Sequence, residues 1–182
     1  MPSRLLDWTY SPYVALHFAT MDLDRYGCDG CIWCVDYYKA HKLLPAALTA
    51  VLAGEGSDVF TTDMLTRVAP TLADFDSLAR PDDPFAVFFE PPSLDERIVN
   101  QFAMFSVVSS PTDQLHQWLD RHPDLGHRLI IPAKLKWEVR DKLDQANVTE
   151  RVLFPGLDGL SAWLKRYYRP RDAGPELIEG HP

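Results

Sequence analysis

The chain has 182 residues, 46% of them apolar and 24% charged, with a formal net charge of −8. That length and apolar content suffice for one domain with its own core, and the acidity argues against a polyphosphate-wrapping protein. No apolar run approaches the roughly 20 residues of a membrane span, and no charged start leads into an apolar signal segment. The expected location is therefore the cytoplasm, and no membrane or nucleic-acid partner is expected.

Taken in chain order, Ser11 is an N-cap and Pro12 a first helical residue. The helix that follows, Tyr13 to Ala19, is apolar nearly all round and is predicted to be buried. Gly27 to Gly30 reads as a turn, and Cys31 to Val35 as a strand with both faces covered. Pro45 to Ala53 predicts a helix, and Thr61 to Val68 a short second one. Arg80 to Pro84 is a loop, and Phe85 to Phe89 a strand stopped by Pro91 and Pro92.

Ser93 and Glu96 have capping-box spacing before a helix from Leu94 to about Gln101, with Leu94, Ile98 and Phe102 on its apolar face. Met104 to Val108 reads as a strand. Leu115, Trp118 and Leu119 mark the inner face of a helix starting near Thr112. Arg128 to Ile131 is a short strand ended by Pro132. Leu135, Val139 and Leu143 then form a period-four stripe, with Glu138 and Lys142 at i,i+4. Val152 to Phe154 reads as strand-like. Asp158 caps a last helix with Leu160, Leu164 and Tyr167 inward. Strands and helices mix without a regular βαβ rhythm. The expected fold class is α+β, with a mixed small sheet packed with several helices in a single domain.

Several side-chain groups invite a chemical reading. In an extended segment, Arg4, Leu6 and Trp8 share one face, and Leu5 and Asp7 the other. Arg4 can bind an anion while Asp7 orients a ligand; alternatively the two pair as mutual counterions inside the fold. Arg97 and Gln101 lie one helical turn apart with Asn100 beside them. An Arg with two amides can read a carboxylate or phosphate, or it can line a solvated face. Cys28, Cys31 and Cys34 are an odd cluster that suggests a reducing compartment. On a strand Cys31 and Cys34 point to opposite faces, so no metal site is expected. His17 is expected to be a hydrogen-bonded core residue. The basic and aromatic run from Lys165 to Arg171 reads as cations at a helix C-terminus, where the dipole favours them.

The string Pro2-Ser-Arg-Leu-Leu-Asp-Trp-Thr9, followed by Ser11-Pro12 and Val14-Ala-Leu-His-Phe-Ala19, closely resembles the signature of FRG domains. Three later blocks resemble that family in the same order: Asp29-Gly-Cys-Ile-Trp33, Arg97-Ile with Gln101 and Phe105, and Leu153-Phe-Pro-Gly-Leu-Asp-Gly-Leu160. Ala103 and Gly156 stand where the family usually has Gly and often has Asp. The Phe-Arg-Gly segment that names the family precedes these blocks and is absent here. The resemblance thus implies the C-terminal, larger part of an FRG-like domain over residues 1–170; by composition, residues 171–182 are expected to be a disordered tail.

The resemblance also implies a candidate ligand site of Arg4, Asp7, Trp8, Thr9, Arg97 and Gln101. The expected ligand is small and anionic or nucleotide-like. The alternatives are an ADP-ribosyltransferase-like architecture handling NAD, inactive in this shortened form, or an interaction module or remnant. Whether the chain is an enzyme stays open at this point, and no cofactor is evident apart from that NAD reading. An exposed N-terminal edge would also favour self-association.

Overall fold

The computed structural model describes residues 4–80 and 83–169. In chain order the elements are β1 (Leu5–Thr9), α1 (Pro12–Thr20), β2 (Gly30–Val35), α2 (Tyr37–His41), α3 (Ala46–Glu55), β3 (Phe60–Thr61), α4 (Thr62–Val68) and α5 (Leu72–Ser77). They continue with β4 (Ala86–Glu90), α6 (Glu96–Asn100), β5 (Ala103–Val108), α7 (Leu115–Arg121), β6 (Gly126–Ile131), α8 (Lys136–Gln145), α9 (Glu150–Leu153) and α10 (Leu157–Tyr167). The fold is α+β, as the mixture of patterns predicts.

One mixed sheet has the order β1-β5-β4-β3, antiparallel except for the β3–β4 pair. A second sheet contains β2 and β6, antiparallel from Gly30 opposite Ile131 to Val35 opposite Gly126. The period-two alternation of β4 and β5 divides the core into two layers. Val87, Phe89 and Val107 pack with Leu48, Leu52, Phe60, Met64 and Phe75 from the α3–α5 side. Ala86, Phe88, Met104 and Val108 pack on the opposite side with Leu115, Trp118 and Leu119 of α7, and Trp8 and Trp33 lean on that layer. Polar groups that this burial would strand find partners. Trp118 Nε1 donates to the Pro84 carbonyl at 2.8 Å. The Phe88 N–H donates to His41 Nε2 at 3.0 Å, while His41 Nδ1 donates to the Asp58 carbonyl at 2.9 Å.

Several local expectations hold. Ser11 caps α1 by accepting from the Val14 N–H, with Pro12 at the first helical position. Leu115, Trp118 and Leu119 are buried together. Glu138 and Lys142 form their i,i+4 ion pair at 2.8 Å.

Others are corrected. Only Val14, His17 and Thr20 of α1 are buried; Tyr13 is 58% exposed. The helix lies against β1, β2 and α8 and leaves its other side open. β2 is not covered on both faces: Cys31 is exposed, because a two-stranded sheet is backed on one side only. The Ser93–Glu96 capping box does not form. Asp95 accepts from the Arg97 N–H at 2.7 Å instead, and α6 is only five residues long. Its expected apolar face therefore fails, with Leu94 exposed and Phe102 in a left-handed conformation at φ 49°.

Residues 152–153 are helical rather than strand-like, closing the single turn of α9. The stripe of α10 is misplaced by the apolar rule, and that of α8 holds only at Leu143. Lys136, Arg140 and Leu143 face inward on α8, and Gly159 and Arg166 on α10, whereas Leu160, Leu164 and Tyr167 face out. Gly156 rather than Asp158 occupies the N-cap of α10. The tail assigned to 171–182 lies outside the described residues.

Candidate functional site

The Arg4–Thr9 segment and the Arg97–Phe105 segment meet because β1 pairs with β5. Asp7 stands opposite Phe105, Trp8 opposite Met104 and Thr9 opposite Ala103. Below the pair, the Thr9 hydroxyl donates to the Gln101 carbonyl at 2.7 Å and Tyr10 N–H donates to the Phe102 carbonyl at 3.1 Å. The positive φ of Phe102 makes the sharp entry from α6 into β5 that brings these groups together. A recess of about 1120 Å³ opens along this junction, between β1, α1, β2 and α6. All six sequence-predicted residues, Arg4, Asp7, Trp8, Thr9, Arg97 and Gln101, line it.

Their side chains are engaged to different degrees. Arg4 is held by Asp76, with Nη1 and Nη2 donating to the two carboxylate oxygens at 3.1 and 2.7 Å, and Nη2 donating to the Val108 carbonyl at 2.6 Å. The counterion of Arg4 is thus Asp76 of α5, and the suggested Arg4–Asp7 pair does not form. Trp8 Nε1 donates to the buried Ser106 hydroxyl at 2.8 Å, and its ring meets Phe88 edge-on. The Gln101 amide donates to the Leu153 carbonyl at 2.9 Å, and Asn100 donates to the Val152 carbonyl at 3.0 Å. Those two bonds satisfy carbonyls at the end of α9 and tie α6 to it.

Two charged groups remain uncommitted. The Arg97 guanidinium lies over the Phe154 ring, 5.0 Å from its centroid, with no hydrogen-bond acceptor among the described residues. The Asp7 carboxylate is exposed and has no ion-pair partner among them. Sequence reasoning named Trp8 but missed the rest of the aromatic part of the site. Trp33 of β2 lines the recess, and Phe154 supports Arg97 from below. The motif spacing around Trp33 and Phe154 was visible, but nothing local indicated which side chains they would reach.

The four sequence blocks prove to be one structural unit. Phe154 packs against Phe18 and His17 of α1. Gly30 lets β2 pass α1 closely, since a Cβ there would stand 2.8 Å from the Ala19 carbonyl oxygen. Behind Phe154 lies a buried ionic network. Arg140 donates to His17 Nδ1 at 2.8 Å and to Glu150 at 2.7 Å. Arg166 reaches Glu150 at 2.7 Å and holds Asp144 through two bonds at 2.8 and 2.6 Å. His17 is a hydrogen-bonded core residue, as its position on the helix predicts. Burial opposes the charge on Glu150, but the hydrogen bond from Arg166 and the charge of Arg140 outweigh it and hold the carboxyl below its ordinary value.

Burial and the adjacent Arg140 push the His17 imidazole down to about 4, and burial also lowers that of His41. Both rings are therefore neutral in the fold and would accept protons more readily in the unfolded chain. The contribution of His17 is present above the ordinary histidine value near 6.5 and is lost as the pH falls toward about 4, and that of His41 is lost in the same direction. Urea unfolding across that window should show stability falling with acidification. A chain carrying both His17→Gln and His41→Gln should have a shallower pH slope. Equal slopes in the two proteins would assign the acid sensitivity to other groups.

The family model of the FRG domain matches residues 1–26. The chain is similar to that family over the segment that forms β1, α1 and the first wall of the recess. No curated protein and no solved structure matches the chain. Among the described residues no helix is long and apolar enough to cross a membrane.

Proposed function

We propose that the recess along the β1–β5 junction binds a small anionic, nucleotide-like ligand. The observation that carries this reading is Arg97, a guanidinium fixed over an aromatic ring inside a lined recess while its donors lack acceptors among the described residues. A guanidinium in that state matches the planar oxygens of a phosphate or carboxylate. Asp7 offers an acceptor for hydroxyl groups such as a ribose diol. Trp8 and Trp33 offer apolar ring surface. The recess is at or slightly above the upper end of common small-molecule pockets, about 300–1,000 Å³, so a nucleotide fits by size. Arg4 serves the site as a wall, because its donors are taken by Asp76 and Val108.

Calorimetric titration of the chain with ADP, ribose 5-phosphate and NAD tests the proposal, with turnover of NAD followed in parallel. Binding of a phosphate-bearing ligand is expected, and Arg97→Ala should weaken it about 10- to 100-fold, the cost of about 1.5–3 kcal/mol for a hydrogen bond to a charged group. The variant should fold normally, because Arg97 is exposed. Absence of binding by all three ligands, or binding that Arg97→Ala leaves unchanged, rejects the reading.

A further inference from the structure

The charges that line the recess are unequal in sign once those already paired are set aside. Among the described residues the ionisable basic and acidic side chains of the lining are Arg4, Asp7, Asp95, Arg97, Asp113 and His116. Arg4 and Asp76 neutralise each other, and so do Asp113 and Arg121 at 3.3 Å. Arg128 lies over the Trp33 ring but outside the lining. What remains is one guanidinium, Arg97, beside two exposed carboxylates, Asp7 and Asp95. Asp95 also accepts from the Arg97 N–H at 2.7 Å. The backbone donor that α6 could offer an anion is therefore taken, by a carboxylate two residues from the guanidinium.

We infer that the recess accepts one phosphoryl group and rejects a second, so that its ligand is a nucleoside monophosphate. This rests on the reading of the recess as a site for a nucleotide-like anion, and it makes Asp7 and Asp95 the residues that set specificity. The first phosphate takes the planar fork of Arg97. A further phosphate finds no free cation in the lining and adds negative charge among the carboxylates. Rejection by a built-in repulsion is a common source of specificity. A carboxylate about 6 Å from one extra negative charge in water weakens binding about 3-fold, and two carboxylates about 10-fold. The role of Asp7 as an acceptor for a ribose hydroxyl is the same for every member of a nucleotide series, so it cancels when affinities within the series are compared.

Calorimetric titration of the full chain with AMP, ADP and ATP tests the inference, in EDTA to remove bridging cations and at about pH 8, above the ordinary histidine range. AMP is expected to bind most tightly, ADP about 3- to 10-fold more weakly, and ATP more weakly still. Raising the ionic strength from about 20 to about 150 mM should narrow the gap. Asp7→Asn combined with Asp95→Asn should bring the ADP and AMP affinities to within about 2-fold of each other. Both residues are exposed, and Asn keeps the N-cap acceptor that α6 needs, so the variant should fold. ADP or ATP binding as tightly as AMP overturns the inference. So does a preference for AMP that the two asparagines leave unchanged. If diphosphates are preferred but Arg97→Ala still abolishes their binding, the anion site stands and only the specificity falls. If none of the three nucleotides binds, the site and the specificity fall together.

Discussion

Gly159→Ala is expected to destabilise the protein by on the order of 3 kcal/mol or more, the upper part of the range for forcing an extra carbon into a packed interior. Gly159 lies where α10 crosses the end of α9. A Cβ there would stand 1.9 Å from the Phe154 carbonyl oxygen and 2.7 Å from that of Glu150. Both are backbone atoms, so no rotamer change relieves the overlap and the two helices must separate. The separation would move Phe154, on which Arg97 rests, and strain the bonds from Arg166 to Glu150. Gly54 supplies the control. It lies inside α3 with nothing near the position of its Cβ. There Ala should stabilise by about 0.5–1 kcal/mol, the ordinary helix-interior difference between the two residues. Urea denaturation of both variants measures the contrast. A Gly159→Ala chain as stable as the unsubstituted protein would mean that α9 and α10 do not cross this closely.

Glu150→Gln should cost a comparable amount, about 3–5 kcal/mol, the range for removing one partner of a buried ion pair. The side chains of Arg140 and Glu150 are 0% and 6% exposed, and that of Arg166 is 6% exposed. Among the described residues Glu150 is the single carboxylate that touches both arginines, and Arg140 also abuts His17. The amide keeps the shape but leaves two buried cations facing each other. Arg166 retains Asp144, whereas Arg140 retains only the imidazole. The distinctive expectation is a coupling. Arg140→Met combined with Glu150→Gln should be more stable than Glu150→Gln alone, because the stranded charge is gone. Thermal unfolding of the two variants checks this. If the second substitution adds a further loss, the network stabilises mainly by packing.

The places where periodicity failed are linked to this network. The apolar rule turns Leu135, Val139 and Leu143 inward on α8, of which Leu143 is buried, and Leu160, Leu164 and Tyr167 inward on α10, none of which is. The fold buries Arg140 beside Leu143 on α8, and Arg166 on α10. Their burial is tolerable only because Glu150 and Asp144 arrive from other positions to neutralise them, and no window of sequence contains that information. Residues 152 and 153 were ambiguous for a different reason. An apolar run of three carries no period, and the helical turn is chosen by Thr149 and Glu150, whose carbonyls accept from Leu153 and Phe154. The capping box at Ser93 and Glu96 lost to Asp95, a nearer side chain with the same preference for the N-cap.

The site was legible to a similar depth. Six residues named from motifs all line one recess, yet their division of labour was hidden. Gln101 and Asn100 spend their amides on the carbonyls of α9, and Arg4 spends its donors on Asp76, 72 residues away.

Local chemistry in the sequence determined the α+β class, the start of α1 at Ser11 and Pro12, the strands that carry Phe88 and Met104, and the inner face of α7. Each of these rests on side chains acting on their own backbone or on one apolar period. Tertiary structure alone decided which charges are neutralised and which remain available. Ion pairing joins residues far apart in the chain, and its energy depends on a burial that exists only once the helices have packed. For that reason Arg4 and Arg97, alike as letters, became a braced wall and an unpaired cation.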